Sequence, residues 1–335
     1  MKPGVVIAAL AGVGLGAYLV FYLGVGAIFV AAARVGWWGF CLICVLGLLL
    51  FAVLGIAWSA LVPRQSLSGL ATFIWGRAVR DSASEVLPFS HVGGIVIGAR
   101  AVILRGVGAP MAFASTIADV TTEMTAQVVY VLVGIAILVA RAPKSVSAEW
   151  LANTATAAAF IGALFAVAFL MIQKRGFAFA EKIAARILPG NNALAGVFQN
   201  AMESIHAAPW RVVLSVILHL GGWFAGALVT FVMAHLMGIR VAFVSILSIE
   251  ALLCAIRSAA IIVPNALGVQ EAAYAMLMPF FGIAATSGVA LSLLKRARDI
   301  TIGIPILLVW QAAEGRFAFG KDGKAALSIK EKRLP

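Results

Sequence analysis

Seven of the 13 carboxylates in this chain, Asp81, Glu85, Asp119, Glu123, Glu250, Glu271 and Asp299, lie within or between apolar stretches long enough to cross a bilayer. A charge at bilayer depth costs on the order of 2.5–3.5 kcal/mol on insertion scales, so such groups face a protein interior or a watery cavity and carry partners. Arg77, Arg80, Arg257, Lys295, Arg296 and Arg298 are the cations near them in sequence. Arginine forks suit anionic headgroups, because a guanidinium binds phosphate through two parallel hydrogen bonds. Acids one helical turn apart, as Asp119 and Glu123 are, need a shared proton or a counter-ion. The bland alternative is a set of ion pairs that only clamp helices together.

The elements that must position these groups are membrane helices. The chain of 335 residues is 63% hydrophobic and only 11% charged, against about 25% charged in soluble domains. Residues 3–33, 35–63, 150–173 and 212–239 contain no Asp, Glu, Lys or Arg, and each exceeds the ~20 residues a spanning helix needs. The first run is too long for a signal peptide and is expected to be a retained helix. The fold class expected is all-α and polytopic, with about eight spanning passes or more.

A net charge of +12 could suit nucleic acid, but its distribution argues otherwise. Lys174, Arg175, Lys182 and Arg186, and the tail residues Arg316, Lys321, Lys324, Lys330, Lys332 and Arg333, form a positive-inside pattern that places both segments in the cytoplasm. The polar tail is too short to bury a core, so no soluble catalytic domain is expected with it. Between 174 and 188 charges alternate with Phe177, Phe179, Ile183 and Ile187, as in a helix lying in the headgroup plane or a plain cytoplasmic linker. A second amphipathic stretch leads to Trp210.

The two membrane halves align when shifted by 176 residues. Ser82 falls on Ser258, Pro88 on Pro264, Gly106 on Gly282, Glu123 on Asp299 and Asp119 on Lys295. The division expected is a helix at 1–33, repeat one at 34–140, a helix and amphipathic linker at 141–209, repeat two at 210–313 and a basic tail at 314–335. With a cytoplasmic N-terminus the repeats enter from opposite sides, giving inverted repeats whose Pro-broken or re-entrant helices meet near the midplane.

The first broken segment holds Arg77, Arg80, Asp81, Ser82, Ser84, Glu85, Pro88, Ser90, His91, Gly93, Gly94, Gly98 and Arg100. Arg77 and Asp81 are four apart on one helical face, and Gly93, Gly94 and Gly98 permit close helix approach. The second holds Glu250, Arg257, Ser258, Pro264, Asn265, Leu267, Gly268 and Glu271; Glu250 and Arg257, seven apart, each need a partner from another segment. The substrate-binding candidates are Arg77, Arg80, Asp81, Glu85, His91, Arg100, Glu250, Arg257 and Glu271. The candidates for gating or proton coupling are Asp119, Glu123, Lys295, Arg296 and Asp299, with Lys295, Arg296 or Arg298 as the counter-ions expected for the first two.

An acid, an Arg, a Pro-Gly turn and Gly-Val-x-Glu, with an Arg-rich Pro-Gly segment half a chain earlier, resembles the transmembrane region of lysylphosphatidylglycerol synthases and related flippase-like proteins. The run from Asp81 to Gly94, then Gly98-Ala-Arg100, Ala114-Ser115, Asp119 and Glu123, is similar to the hopanoid-biosynthesis-associated branch. Asn265 and Ala266 depart from the glycine expected after the proline. The resemblance implies a bacterial inner-membrane protein that moves or delivers an anionic or polycyclic, hopanoid-type lipid. The alternatives are a membrane-embedded lipid-modifying transferase and a scaffold subunit of a lipid-biosynthesis complex.

No phosphate-cradling loop is present, so neither nucleotide nor other cofactor is expected. Cys41 and Cys44 lie in an uncharged span with nothing to complete a metal site, and His219 and His235 read as packing or hydrogen-bonding residues. The partners expected are a membrane lipid, another copy through glycine-lined faces, or proteins of lipid biosynthesis; nucleic acid is not among them.

Overall fold

The computed structural model describes residues 25–63, 65–87, 90–141, 192–260, 266 and 268–319. Among them are nine α-helices and one 3-10 turn. We number the helices α1 (Val25–Ala60), α2 (Leu67–Val86), α3 (Ser90–Ile103), α4 (Ala109–Arg141), α5 (Asn192–His206), α6 (Pro209–Leu236), α7 (Phe243–Ala259), α8 (Val269–Leu277) and α9 (Ala285–Phe319). The spans expected at 3–24 and 150–173, the amphipathic segment 174–188, the tail beyond Phe319 and the breaks at Pro88, Pro264, Asn265 and Leu267 lie outside the described residues.

Ala33–Ala60, Ala109–Arg141 and Pro209–Leu236 are long and apolar enough to cross a membrane. Their outer faces are apolar: Leu42, Val45, Leu48 and Leu49 on α1, Leu132 on α4, and Val213 and Ile217 on α6 are all exposed. Arg77, Arg80, Asp119, Lys295 and Arg296, by contrast, are buried. Charge inside and hydrocarbon outside is the arrangement of a polytopic membrane protein.

Helix starts follow the 176-residue shift. The apolar spans begin at Ala33 and Pro209 and are 28 residues each; α2 and α7 begin at Leu67 and Phe243, and α4 and α9 at Ala109 and Ala285. Gly106 and Gly282, which turn the chain into α4 and α9, both have positive φ, 94° and 74°. Only glycine adopts that backbone without strain. Packing follows the same pattern: α1 lies on α6, α4 lies on α6 and α7, and α9 lies on α1 and α2.

Small residues set these crossings. A Cβ on Gly134 of α4 would stand 2.3 Å from the Ala251 Cβ on α7, and Ser248 beside it donates to the Gly134 carbonyl at 2.7 Å. We therefore expect Gly134→Ala to destabilise the protein by about 1–3 kcal/mol through overpacking. Adding Ala251→Gly should restore most of the loss in thermal unfolding in detergent; no recovery would remove this contact as the cause.

Candidate functional site

The site begins with α2. Ser66 caps it by accepting from the Gly69 N–H at 3.2 Å, and a three- and four-residue spacing then turns Arg77, Arg80 and Asp81 towards α4. There Asp119 and Glu123, one turn apart, meet the guanidinium groups. Glycines of α3 press α2 into place: a Cβ on Gly98 would lie 2.7 Å from the Arg80 Cβ, and one on Gly94 would lie 2.7 Å from the Arg80 carbonyl oxygen.

Arg77 donates from Nε to Asp81 at 2.8 Å and from both terminal nitrogens to Glu123, at 2.5 and 3.0 Å. Its Nη1 also reaches Asp119 at 3.3 Å. Arg80 bridges the two acids, giving one 2.6 Å bond to Asp119 and one to Glu123. Arg77 and Asp119 are 3% and 0% exposed. The counter-ions of Asp119 and Glu123 are therefore Arg77 and Arg80, not the expected Lys295, Arg296 or Arg298. The two guanidinium groups of α2 reach across to the acids of α4, whereas the α9 cations are engaged elsewhere.

His219, in the apolar helix α6, completes the cluster. Its Nε2 lies 2.9 Å from the Asp119 Oδ1, and both side chains are fully buried. Because Asp119 already accepts from two guanidinium groups, Nε2 carries the proton and donates. The five charges, two cations and three carboxylates, sum to −1.

In the second half, Lys295 of α9 donates to Glu250 of α7 at 2.6 Å and to the Tyr274 hydroxyl at 2.9 Å, and Tyr274 in turn bonds Glu250. The position 176 residues after the buried acid Asp119 thus holds a buried cation. Glu271 caps α8, accepting from the Gly268 N–H at 2.9 Å, and pairs with Arg296 at 2.8 Å. Arg100 pairs with Glu314 at 2.8 Å, joining α3 to α9. The side chain of His91 lies outside the described residues.

A last group, partly exposed, also joins the halves. Arg257 of α7 donates to Glu85 of α2 at 2.7 Å and to Gln270 at 3.2 Å. Arg257 and Glu85 are 21% and 27% exposed. Arg298 pairs with Asp299 at 2.6 Å, and Asp299 feels the charges of Arg257 and Glu85.

The sequence model describing the lysylphosphatidylglycerol synthase TM region matches residues 6–306. No curated protein and no solved structure matches the chain. A polytopic all-helical fold with charged groups gathered inside it agrees with that match, which spans both halves. The chain belongs to the lysylphosphatidylglycerol synthase transmembrane-region family, a family of membrane proteins linked to lipid metabolism.

Proposed function

We propose that this protein moves a lipid across or out of the bilayer, holding its anionic headgroup between the two halves while its apolar body stays among lipid chains. The observation that carries the reading is the partly exposed Arg257–Glu85 pair, which joins the halves with Arg298 and Asp299 beside it. An ion pair that is partly exposed can trade one carboxylate for a phosphate or another anionic group, because the guanidinium fork fits both. Arg77 and Arg80 act differently: their carboxylate partners hold them in place, and they form the fixed polar floor of the site.

The matching helix starts support inverted repeats as the scaffold. On this reading the halves enter the membrane from opposite sides, as in many secondary transporters. The similarity of the run from Asp81 to Gly94 to the hopanoid-associated branch makes a hopanoid-type lipid a candidate cargo alongside a phospholipid. The proposed setting is a bacterial inner membrane with the basic tail in the cytoplasm.

The test is mass spectrometry of lipids that copurify with wild type and with Arg257→Gln, both shown to be folded. One lipid class should be enriched in wild type and depleted about tenfold in the variant, the equivalent of ~1.4 kcal/mol of binding. Indistinguishable bulk lipid in both would favour a scaffold or a set of helix clamps. A copurified lipid converted to a product of new mass would favour the transferase.

A further inference from the structure

A groove of about 520 Å³ opens where α1, the end of α6 and the start of α9 meet. Its polar end is Arg34, Thr286 and Ser287; its wall continues along α9 through Val289, Ala290 and Leu293. Met237 and Ile239 close the other side. Arg34 is exposed and has no ion-pair partner among the described residues. Trp37 and Trp38, the latter 89% exposed, follow it just past the backbone kink at Gly36, and exposed tryptophans of this kind mark a membrane interface.

The first half shows what this shape accommodates. Subtracting 176 from Met237, Ser287, Val289, Ala290 and Leu293 gives Leu61, Met111, Phe113, Ala114 and Ile117. Those five residues form the seat of α5, whose Phe198, Met202 and Ile205 are buried against them. The counterpart in the first half is therefore filled by an amphipathic helix, apolar face inward. Among the described residues no helix fills the groove in the second half.

We infer that this groove is a lateral port for a membrane lipid with an anionic headgroup, open to one leaflet only. Polarity along its length matches such a lipid from head to tail. Arg34 and two hydroxyls lie at the interface, and the wall becomes apolar from Val289 to Leu293, one turn deeper at about 1.5 Å per residue. Leu293 is itself 46% exposed. A helix would need matching side chains to fill the groove, whereas an acyl chain needs only the apolar wall and a cation at its head. In inverted repeats the two seats face opposite leaflets, and among the described residues α5 closes one while no helix closes the other. That directionality rests on the transporter reading; binding at the groove does not.

The test uses phosphatidylglycerol bearing a photoactivatable acyl chain, with the protein in nanodiscs and labelled positions read by mass spectrometry. Residues 289–293 should be labelled, and residues 113–117 should not. Labelling of 289–293 should fall at least about fivefold in Arg34→Gln, in Ala290→Trp, and with the phosphatidylcholine version of the probe. Equal labelling of both stretches, or no preference for phosphatidylglycerol, would overturn the port. So would a photoreactive residue replacing Leu293 that crosslinks to the chain before Val25, which would make the groove an internal seat. Both variants are checked for folding by size-exclusion chromatography, and Ala290→Trp, which leaves every charge in place, keeps the inference testable if Arg34→Gln fails to fold. Labelling that persists while Arg257→Gln leaves copurified lipid unchanged would separate this site from the proposed transport.

Discussion

Arg80→Leu should destabilise the protein by about 3–5 kcal/mol, the cost of removing one partner from a buried ion pair. Two 2.6 Å bonds disappear, one from each acid. Asp119 then keeps His219 and a 3.3 Å contact with Arg77, and the cluster goes from −1 to −2 around a fully buried Asp119. That is a large share of the ~5–15 kcal/mol that holds a typical domain folded. The double variant Arg80→Leu with Asp119→Asn returns the cluster to −1 and leaves an amide oxygen for His219. It should recover most of the loss. Thermal unfolding in detergent is the measurement, and a double variant no better than the single would show that charge balance does not govern this cluster.

Lys295→Met should cost a similar ~3–5 kcal/mol for the same reason, since it leaves Glu250 as a buried carboxylate with only the Tyr274 hydroxyl. Adding Glu250→Gln should restore most of the protein that survives heating, read as the monodisperse peak in fluorescence-detected size-exclusion chromatography. Unchanged survival of Lys295→Met alone would show that the ammonium is not what holds Glu250 in place. Both variants remove a cation and leave a buried carboxylate, Asp119 beside Arg80 and Glu250 beside Lys295. Asp119 and Lys295 lie 176 residues apart, and each needs the charge that the other half supplies to its own partner.

Local spacing made part of the site legible in the sequence. Arg77 and Asp81, four apart on a helix, do pair. Glu250 and Arg257, too far apart for each other, do find partners on other segments, Lys295 and Tyr274 for one, Glu85 and Gln270 for the other. The repeat offset also anticipated where helices start. Two things were not legible, both because they depend on how helices pack. Which cations balance Asp119 and Glu123 is decided by the register of α2 against α4, and sequence distance pointed to the wrong set. His219 comes from 100 residues away in an apolar helix; the available signal was Ser215, one turn before it on the same face, which hydrogen-bonds Thr122 at 2.9 Å.

Interdigitation of the halves has a mechanical consequence. The fourth helix of each half packs mainly against the first two helices of the other, α4 on α6 and α7, α9 on α1 and α2. Two bodies clasped in this way cannot swing apart like jaws without unpacking both crossings and separating Arg257 from Glu85. Of the short pieces, α8 packs on α7 and α9 of its own half, while α3 packs on α2 and α4 and is tied to the other half by the Arg100–Glu314 pair. On the transport reading, a stroke that keeps this clasp closed would fall to α8, the short helix that the structure, among the described residues, ties only to its own half.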